Sequence, residues 1–540
     1  MPTAAQILAE RLHQAGCRYA FGIPGGEVLA VMDALAGAGI AFHLTKHENP
    51  AGFMAEGTHH VTGAPGILVA TIGPGVANAV NVIANAEQDR VPLIVLTGCV
   101  DQAEAVGYTH QVFDHSALLK PVTKASFTLA DGAVDGLIDK ALAIASEGRP
   151  GPVHIDVPIS LATREQREPR PFRPARRGTM RPDDADVAAA AALLEGAERP
   201  IMVAGLEVLA QGAETAVADF ARRFQVPVIT TYKAKGVLPE DEPLALGGAG
   251  LSPLADRHLL PLVEMSDLIL LAGYDPIEMR HGWCHPWDPA KAEIVEFTAA
   301  PHPHGVHETS VSFAGDIGAG LAALGAAVKP AVVKPDGAWS NGAPAAAKAA
   351  LDQAFRAEED WGPAAVVDQV RKALPAEGIA TVDSGAHRIL LSQIWRCPRP
   401  RSLLQSSGLC TMGCALPLAM GAKLAAPERP VVAFVGDAGL EMVLGELATL
   451  RDLRLPLVIV VFVDASLALI ELKQRNSGLT NLGVDFGATD FVRVAEALGG
   501  GGVEVDNRAD LERAVKRGLA AETFTVVAAV IGPKAYDGRL

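Results

Sequence analysis

Short apolar runs alternate with stretches of helical periodicity along the first 165 residues. The N-terminal stretch MPTAAQILAERLHQAG places Ile7, Leu8, Leu12 and Ala15 on one face of an amphipathic helix. The elements that follow are AFGIP, ALAGAGIAFHLTKHE, GILVATIGPG, VPLIVLTG and PVHIDVP. Strands and helices that alternate in this way form a parallel sheet covered on both faces. The pattern therefore predicts an α/β domain over residues 1–165.

The same pattern occurs twice more along the chain. Residues 185–328 contain the runs PIMVAG, VPVITTY, LILLAGYDP and AEIVEFT, and residues 350–540 contain GIATVDSG, PVVAFVGDAG, PLVIVVFVD and FTVVAAVIG. A Pro/Arg-rich passage at 166–184 and a Pro/Ala/Gly-rich passage at 329–348 interrupt the pattern, so we interpret both as linkers. The sequence predicts three doubly wound parallel-sheet domains.

Composition and charge exclude several classes of protein. The chain has 540 residues, 49% apolar and 20% charged, which suits several globular domains and not extensive disorder. The net charge of -16 and the lack of a basic stripe argue against a nucleic-acid partner. The longest apolar run, 457–463, is far shorter than the ~20 residues of a membrane span. The six cysteines form no CxxC pair, so we expect a reduced, cytoplasmic protein with no membrane partner.

One turn in the third segment carries candidate metal chemistry. A strand is followed by Gly436, Asp437, Ala438 and Gly439, and the next strand leads to Asp464. Carboxyl ends of neighbouring parallel strands face the same crevice, so the two aspartates can converge on one cation. The small residues let backbone N–H groups approach phosphate oxygens, which Mg²⁺ bridges to carboxylates. Taken alone, the turn could equally close an ordinary βα unit.

This stretch resembles the thiamine-diphosphate motif, which begins Gly-Asp-Gly or Gly-Asp-Ala and ends in Asn-Asn after nearly the same interval. In this chain the final pair is Val463-Asp464. The resemblance implies Mg²⁺ held by Asp437, Asp464 and the carbonyl of Ser466, with Leu467 beside the cofactor. Aspartate in place of asparagine adds a negative charge but keeps an oxygen ligand.

A second segment, LTKHENPAGFMAEG at 44–57, resembles the His-Glu segment of the pyrimidine-binding domain in the same superfamily. Glu48 takes the position of its glutamate. The resemblance implies that this carboxyl bonds a pyrimidine ring nitrogen and favours the imino form that removes the thiazolium proton. From local sequence alone, Glu48 could also be a solvated loop residue or a charge at a helix N-terminus. Glu56 is a weaker rival because it faces a helical segment.

Three further stretches resemble the same superfamily in the same order. The string at 70–98 matches GPG-x-x-N, with Gly73 in the turn and Asn78 in the Asn position, and Pro24 lies in the similar stretch GIPGGEVLAVMDAL. In SSGLCTMGCALPLAMGAKLAAP, Met412 matches the apolar side chain pressed between the cofactor rings, although methionine also fills ordinary cores. In VDSGAHRILLSQIW, the residues Gly385, Ala386 and His387 match the diphosphate-facing turn, and His387 could instead cap the helix.

Within the superfamily the chain resembles acetolactate synthases of the catabolic, flavin-free kind. GYDPIE and VDFGATDFVRVAEALG carry this likeness, and the central segment has no GxGxxG, which argues against FAD. The resemblance implies decarboxylation of a 2-oxo acid such as pyruvate and joining to a second carbonyl, which with pyruvate gives 2-acetolactate. It also implies a homodimer or homotetramer with the active site at the chain interface.

Two positions depart from the synthase pattern and keep alternatives open. Gln111 matches the substrate-side glutamine, but His110 replaces the neighbouring aromatic residue. Lys473 lies where biosynthetic synthases have Trp and catabolic ones Gln, and it could favour an anionic substrate or be solvated. The alternatives are a decarboxylase or acyltransferase like sulfoacetaldehyde acetyltransferase, or a non-catalytic thiamine-diphosphate binder. His281, His285, His302, His304 and His307 lack the spacing of a zinc site and are predicted to lie at the surface.

Overall fold

Three parallel β-sheets of six strands each organise the computed structural model, which describes residues 1–172, 182–302, 305–329 and 339–540. Helices cover both faces of each sheet. The prediction of three doubly wound α/β domains is confirmed. In the part of the chain that the structure describes, no helix is both long and apolar enough to cross a membrane.

The first sheet has the strand order β2-β1-β3-β4-β6-β5. Its strands are β1 (Tyr19–Ile23), β2 (Ala41–Leu44), β3 (Gly66–Ala70), β4 (Leu93–Cys99), β5 (Ala125–Thr128) and β6 (Val153–Pro158). The helices are α1 (Ala4–Gln14), α2 (Leu29–Gly37), α3 (Glu48–Thr62), α4 (Pro74–Gln88), α5 (His115–Leu119), α6 (Val134–Ser146) and α7 (Ile159–Ala162). The predicted face of α1 is buried at Ile7, Leu8 and Leu12.

The central sheet has the order β12-β11-β10-β7-β8-β9. Its strands are β7 (Pro200–Ala204), β8 (Val228–Thr231), β9 (Ala245–Ala249), β10 (Leu268–Ala272), β11 (Glu293–Thr298) and β12 (Val311–Ala314). The helices are α8 (Asp184–Gly196), α9 (Leu206–Gln211), α10 (Glu214–Phe224), α11 (Pro253–Met265) and α12 (Ile317–Ala327).

The third sheet, β14-β13-β15-β16-β18-β17, repeats the topology of the first. Its strands are β13 (Ile379–Val382), β14 (Leu403–Gln405), β15 (Val431–Gly436), β16 (Val458–Val463), β17 (Gly501–Val505) and β18 (Thr525–Val530). The helices from residue 343 onward are α13 (Ala343–Ala354), α14 (Pro363–Ala373), α15 (Ala386–Ile394), α16 (Ala415–Ala425), α17 (Asp437–Glu441), α18 (Glu446–Leu453), α19 (Ala468–Asn476), α20 (Phe491–Ala497) and α21 (Arg508–Leu519).

The second predicted linker, 329–348, needs a partial correction. Trp339 donates a hydrogen bond from its indole N–H to the carbonyl oxygen of Pro200 (2.8 Å). Helix α13 begins at Ala343, inside the predicted break, and its Leu351 packs into a core that also contains Leu259 of α11. The end of this passage is therefore docked on the central domain because its apolar residues find a partner there. Residues 330–338, like 173–181 of the first predicted linker, lie outside the described chain.

The first and third domains share one hydrophobic core where helices α3 and α16 cross. Glycines permit close contact between the two backbones at this crossing. A Cβ atom on Gly57 would overlap the carbonyl oxygen of Leu418, and one on Gly421 would overlap that of Met54. The shared core fixes these two domains against each other within one chain.

Candidate active site

Two acidic side chains follow neighbouring strands of the third sheet. Strands β15 and β16 pair in parallel, with Gly436 beside Phe462, so Asp437 and Asp464 emerge at the same edge. The Asp437 carboxylate accepts hydrogen bonds from the backbone N–H groups of Asp464 (3.0 Å) and Ala465 (2.7 Å). The two predicted metal-binding carboxylates are thus brought together by the sheet itself.

The turn after β16 holds the third predicted ligand next to this pair. The backbone N–H of Ser466 donates to Asp464 (3.2 Å), and its hydroxyl donates to Asp485 (2.7 Å). Ala465 has a φ of 54°, which turns the chain sharply. Burial, with the neighbouring Asp437 charge, raises the pKa of Asp464 to about 7, and burial also raises the pKa of Asp437. A cation between two such carboxylates would relieve their repulsion.

A cavity of about 230 Å³ lies over this edge of the third sheet. Its walls include every cofactor and metal residue predicted in the third domain, which are Gly385, Ala386, His387, Met412, Gly436, Asp437, Ala438, Gly439, Asp464, Ser466 and Leu467. Within the described chain, all of its lining residues belong to the third domain. One chain therefore forms only this part of the predicted site around the cavity.

Three buried polar atoms of residues that line the cavity lack a hydrogen-bond partner among the described residues. They are the hydroxyl of Ser384, Nε2 of His387 and Nε of Arg388. Burial lowers the pKa of His387 to about 3, so the ring is neutral and can offer one N–H. The ring stacks on Phe462 with centroids 5.4 Å apart. Since unpaired buried polar groups are costly, we expect a ligand in the cavity to satisfy them.

The loop that carries Met412 is held by two buried carboxylates. Asp383 follows β13 and accepts the backbone N–H of Gly413 (2.9 Å). Asp89, at the end of α4 in the first domain, accepts the backbone N–H of Gly408 (2.8 Å). The sequence analysis did not single out either aspartate. Asp383 binds a residue 30 positions away along the chain, and Asp89 binds one 319 positions away. Together they fix the loop from two domains.

Arg388 and Cys410 also line the cavity beside this loop, and neither was predicted. The Arg388 guanidinium donates to the carbonyl oxygen of Ser406 and to the Cys410 sulfur, the latter at 3.1 Å. Cys410 has a φ of 56°, a backbone conformation that residues other than Gly and Asn rarely adopt. The guanidinium therefore braces a strained segment two residues before Met412.

Glu48 lies at the carboxyl edge of the first sheet, where α3 begins. Its side chain is buried, with 4% of the residue exposed, and accepts a hydrogen bond from the Asn78 side-chain amide (3.0 Å). A Cβ atom on Gly75 would lie 3.3 Å from the carboxylate, so the turn that starts at Gly73 packs closely here. The structure brings these predicted residues together, and the solvated-loop interpretation of Glu48 is wrong.

Glu56, the weaker rival, lies inside the protein in a polar network. It contacts Asn85 (3.0 Å), His60 (3.1 Å) and Lys233 of the central domain (3.6 Å). Burial raises the pKa of Glu56, and Lys233 opposes the shift. This carboxyl therefore connects domains and does not reach the sheet edge at which Glu48 lies.

Gln111 lies against the Gly73 turn, with a φ of 60°. His115 accepts the Gly73 backbone N–H at Nε2 (3.2 Å), and its Nδ1 lies 2.8 Å from an oxygen of Asp156. Because Nε2 accepts, Nδ1 carries the proton and donates to Asp156. With His154 these side chains are close enough to suggest a metal site, but their mutual hydrogen bonds account for the cluster. The sequence had not predicted this support for the turn.

The remaining predicted residues lie outside the cavity. Pro24 follows β1 and is exposed, as are His110, which touches the ring of Tyr108 edge-on, and Lys473 on α19.

The surface prediction for the histidine group holds only in part. His281 and His285 are exposed. The side chain of His302 is 8% exposed and lies 2.9 Å from an Arg149 nitrogen, so its prediction as a surface residue is wrong. His304 lies outside the described residues.

Three regions of the chain match three domains of one protein family. Residues 2–118 match the thiamine pyrophosphate (TPP) enzyme N-terminal TPP binding domain, 187–324 match the central domain, and 383–529 match the C-terminal TPP binding domain. The chain belongs to the thiamine pyrophosphate enzyme family. Thiamine pyrophosphate is another name for thiamine diphosphate. The resemblance to thiamine-diphosphate enzymes that the sequence indicated is thereby confirmed.

Relatives within the thiamine pyrophosphate enzyme family include synthases and a decarboxylase. The chain is 30% identical to acetolactate synthase of Bacillus subtilis over 535 residues, covering 97% of this chain and 92% of the relative. It is 31% identical over 536 residues to a Pseudomonas aeruginosa protein named probable 2-ketoarginine decarboxylase, covering 97% and 93%. It is 30% identical over 522 residues to the acetolactate synthase isozyme 1 large subunit of Escherichia coli, covering 94% and 90%. The chain is thus an enzyme of the acetolactate synthase and decarboxylase group.

The residues present fit the cofactor of this thiamine pyrophosphate enzyme. The unpartnered Ser384 hydroxyl suits a phosphate oxygen, and the Asp437–Asp464 pair suits a hard divalent cation. Glu48, buried at the edge of the other cofactor-binding domain, suits a ring nitrogen.

Proposed function

We propose that this enzyme uses thiamine diphosphate and Mg²⁺ to decarboxylate a 2-oxo acid, with pyruvate as donor, and joins the remaining two-carbon unit to a second carbonyl compound. This is the reaction class of acetolactate synthase. The observation that carries the proposal is that one chain has both parts of such a site. Glu48 is buried in the N-terminal TPP binding domain, and the carboxylates of Asp437 and Asp464 lie together in the C-terminal one.

The third domain would hold the charged end of the cofactor. Asp437, Asp464 and the carbonyl oxygen of Ser466 supply oxygen ligands of the kind that Mg²⁺ prefers. The turn at 384–387 and the small residues at 436–439 would bind the diphosphate, because they line the cavity and the turn offers the unpartnered hydroxyl of Ser384. Charge neutralisation by the cation permits the diphosphate to lie beside two aspartates.

Glu48 would handle the proton in the first domain. When bound, thiamine diphosphate supplies a thiazolium carbon that attacks the substrate carbonyl and accepts electrons as CO₂ leaves. The buried Glu48 carboxyl would bond a pyrimidine nitrogen and so promote proton removal through the cofactor's own amino group. Asn78 holds the carboxylate in place (3.0 Å), and Met412, which lines the cavity, would pack against the rings of the cofactor.

A complete site in this proposal needs two chains. The cavity is lined by the third domain, whereas Glu48, Asn78 and Gly73 lie at the edge of the first sheet. Large apolar side chains are exposed near both regions, namely Val106, Tyr108 and Phe113 in the first domain and Met442, Ile470, Leu479 and Leu482 in the third. Exposed apolar groups of this kind mark protein interfaces. We propose a homodimer or homotetramer in which these faces meet.

A second candidate is decarboxylation or acyl transfer without formation of acetolactate. His110 and Lys473 depart from the synthase pattern, and one relative bears the name of a decarboxylase. A non-catalytic binder is less well supported, since holding the cofactor does not require a buried carboxyl at Glu48.

Product analysis with pyruvate tests the proposal. The purified enzyme, thiamine diphosphate, Mg²⁺ and pyruvate should yield CO₂ and 2-acetolactate, quantified by mass spectrometry, and both should disappear when EDTA removes the cation. CO₂ without acetolactate would replace the synthase with a decarboxylase. No CO₂ from pyruvate or from any acid of a 2-oxo acid panel would overturn the proposed function.

A further inference from the structure

A second carboxylate, Glu27, lies at the carboxyl edge of the first sheet. It follows β1 in a short turn, Gly26–Val28, and accepts a hydrogen bond from the Thr71 hydroxyl after β3 (2.6 Å). It also packs against Gly98 in β4, where a Cβ atom would lie 2.5 Å from the Cβ atom of Glu27. Glu27 therefore lies over the ends of three central strands, β1, β3 and β4.

Glu27 shares this edge with Glu48. A Cβ atom on Gly75 would lie 3.0 Å from the Thr71 methyl group and 3.3 Å from the Glu48 carboxylate. Thr71, which binds Glu27 through its hydroxyl, and the Glu48 carboxylate thus both adjoin Gly75. The position where β1 joins β3 is also the point at which strand order reverses, and open α/β sheets bind ligands at such points.

No positive side chain of the described residues forms an ion pair with Glu27, whose carboxylate accepts a hydrogen bond from the neutral Thr71 hydroxyl. The segments 19–45, 66–89 and 91–119, which contain the three strands and the chain after them, have no Lys or Arg. Lys46, the nearest basic residue in sequence beyond β2, pairs instead with Asp452 (3.2 Å). A half-buried carboxylate without a counter-ion becomes costly when a site closes over it, unless a ligand brings the positive charge.

From this placement we infer that the second carbonyl compound that the enzyme prefers, with pyruvate as donor, is a 2-oxo acid whose side chain carries a positive charge, a guanidinium or ammonium group, and that Glu27 is the residue that selects it. The inference rests on the proposed function, since it names the substrate class of the same site. A guanidinium would form a charge-assisted hydrogen bond with the Glu27 carboxylate, which a neutral group of equal shape cannot match. The carboxylate of the substrate lies at the reacting end and is common to all 2-oxo acids.

Two acids of nearly equal shape provide the test. The enzyme, with cofactor and Mg²⁺, is given 2-oxo-5-guanidinopentanoate or its neutral ureido analogue, each alone and with pyruvate. CO₂ release and coupled products are measured. The value of kcat/KM for formation of the coupled product is then compared between the guanidino acid and the ureido acid. We expect a guanidino-to-ureido ratio of about ten or more. In Glu27→Gln this ratio should fall towards one, and in Glu27→Asp it should stay above one.

Asp33→Asn is the matched control, because Asp33 is an exposed acid on α2 away from the sheet edge and its removal should leave the ratio unchanged. A wild-type ratio near one, or preference for 2-oxoglutarate over both analogues, would overturn the inference even if the variants do not fold. A wild-type ratio that survives Glu27→Gln in a folded enzyme would also overturn it. In each of these cases CO₂ release from some 2-oxo acid would leave the proposed function standing, whereas no release from any acid would remove both.

Discussion

The carboxylate of Glu48 is buried at the first residue of a helix and is held by Asn78 at 3.0 Å. A glutamine at this position keeps the shape and one hydrogen-bond acceptor but cannot exchange a proton. We predict that Glu48→Gln still binds thiamine diphosphate and loses at least about 10²-fold in turnover, the usual scale for a proton-transfer group. Cofactor binding by calorimetry and CO₂ release measure the two effects separately.

Glu10→Gln, at an exposed acid of helix α1, controls for the loss of one charge and should retain wild-type turnover. Near-wild-type turnover in Glu48→Gln would refute the role assigned to Glu48.

Residues with a local signature could be predicted from the sequence, and residues that act across the fold could not. Asp437, Asp464 and Met412 occur in recognisable strings, and the structure places all three on one cavity. Asp89 supports the Met412 loop from another domain through a backbone N–H, so nothing near it in sequence marks it. Arg388 follows the predicted His387 directly, yet its partner Cys410 comes close only in the folded chain.

At the scale of elements, helices α3 and α16 approach so closely that Gly421 has no room for a side chain. We predict that Gly421→Ala lowers the free energy of unfolding by about 1–3 kcal/mol, because the new methyl group would overlap a backbone oxygen that cannot move without shifting helix α3. Urea denaturation measures the change.

Gly37→Ala is the matched control for this prediction. Gly37 lies in α2 with open space around its Cβ position. The control should be as stable as the wild type or up to about 1 kcal/mol more stable, because alanine favours helix. Equal effects of the two substitutions would contradict the packing argument.

Glu278, in the central domain, makes stability depend on pH. It is buried, one of its carboxyl oxygens lacks a partner among the described residues, and burial raises its pKa to about 8. A carboxyl group with a raised pKa holds a proton in the folded state that it releases on unfolding. Its contribution to stability is therefore complete below about pH 4.5 and is lost as pH rises towards 8, by up to about 1.4 kcal/mol per pH unit.

We predict that Glu278→Gln removes this component, so that the variant gains stability relative to the wild type as pH rises from 5 to 8. Unfolding free energies across this range provide the measurement, with Glu264→Gln on the exposed side of α11 as the control. A constant difference between Glu278→Gln and the wild type would contradict the assignment.

Interior strands of the three sheets could be predicted, whereas edge strands could not. The apolar runs correspond to the interior strands, for example β4, β10 and β16, whose residues are nearly all buried. The edge strands β5, β9, β12, β14 and β17 were not singled out, and β2 was not separated from the longer stretch 34–48 that contains it. A strand covered on both faces reads as a continuous apolar run, whereas short or partly exposed edge strands such as β2 give no such signal.

At the scale of the whole molecule, the domain order was predictable and the contacts between domains were not. Resemblance in five strings indicated three domains in the order that the family matches show. The α3–α16 crossing and the docking of α13 on the central domain depend on surfaces far apart in sequence. For the same reason, the sequence could suggest an interface between chains but not the faces that form it.

The central claim is that Glu48 of one chain and the Asp437 cradle of another form one active site. Co-expression of Glu48→Gln with Asp437→Ala chains tests it most directly, by CO₂ release from a 2-oxo acid substrate. Each variant alone should be inactive, and the mixture should recover about a quarter of wild-type activity, because half of randomly paired dimers contain one intact site of two. No recovery in a mixture shown to contain mixed dimers would contradict the account.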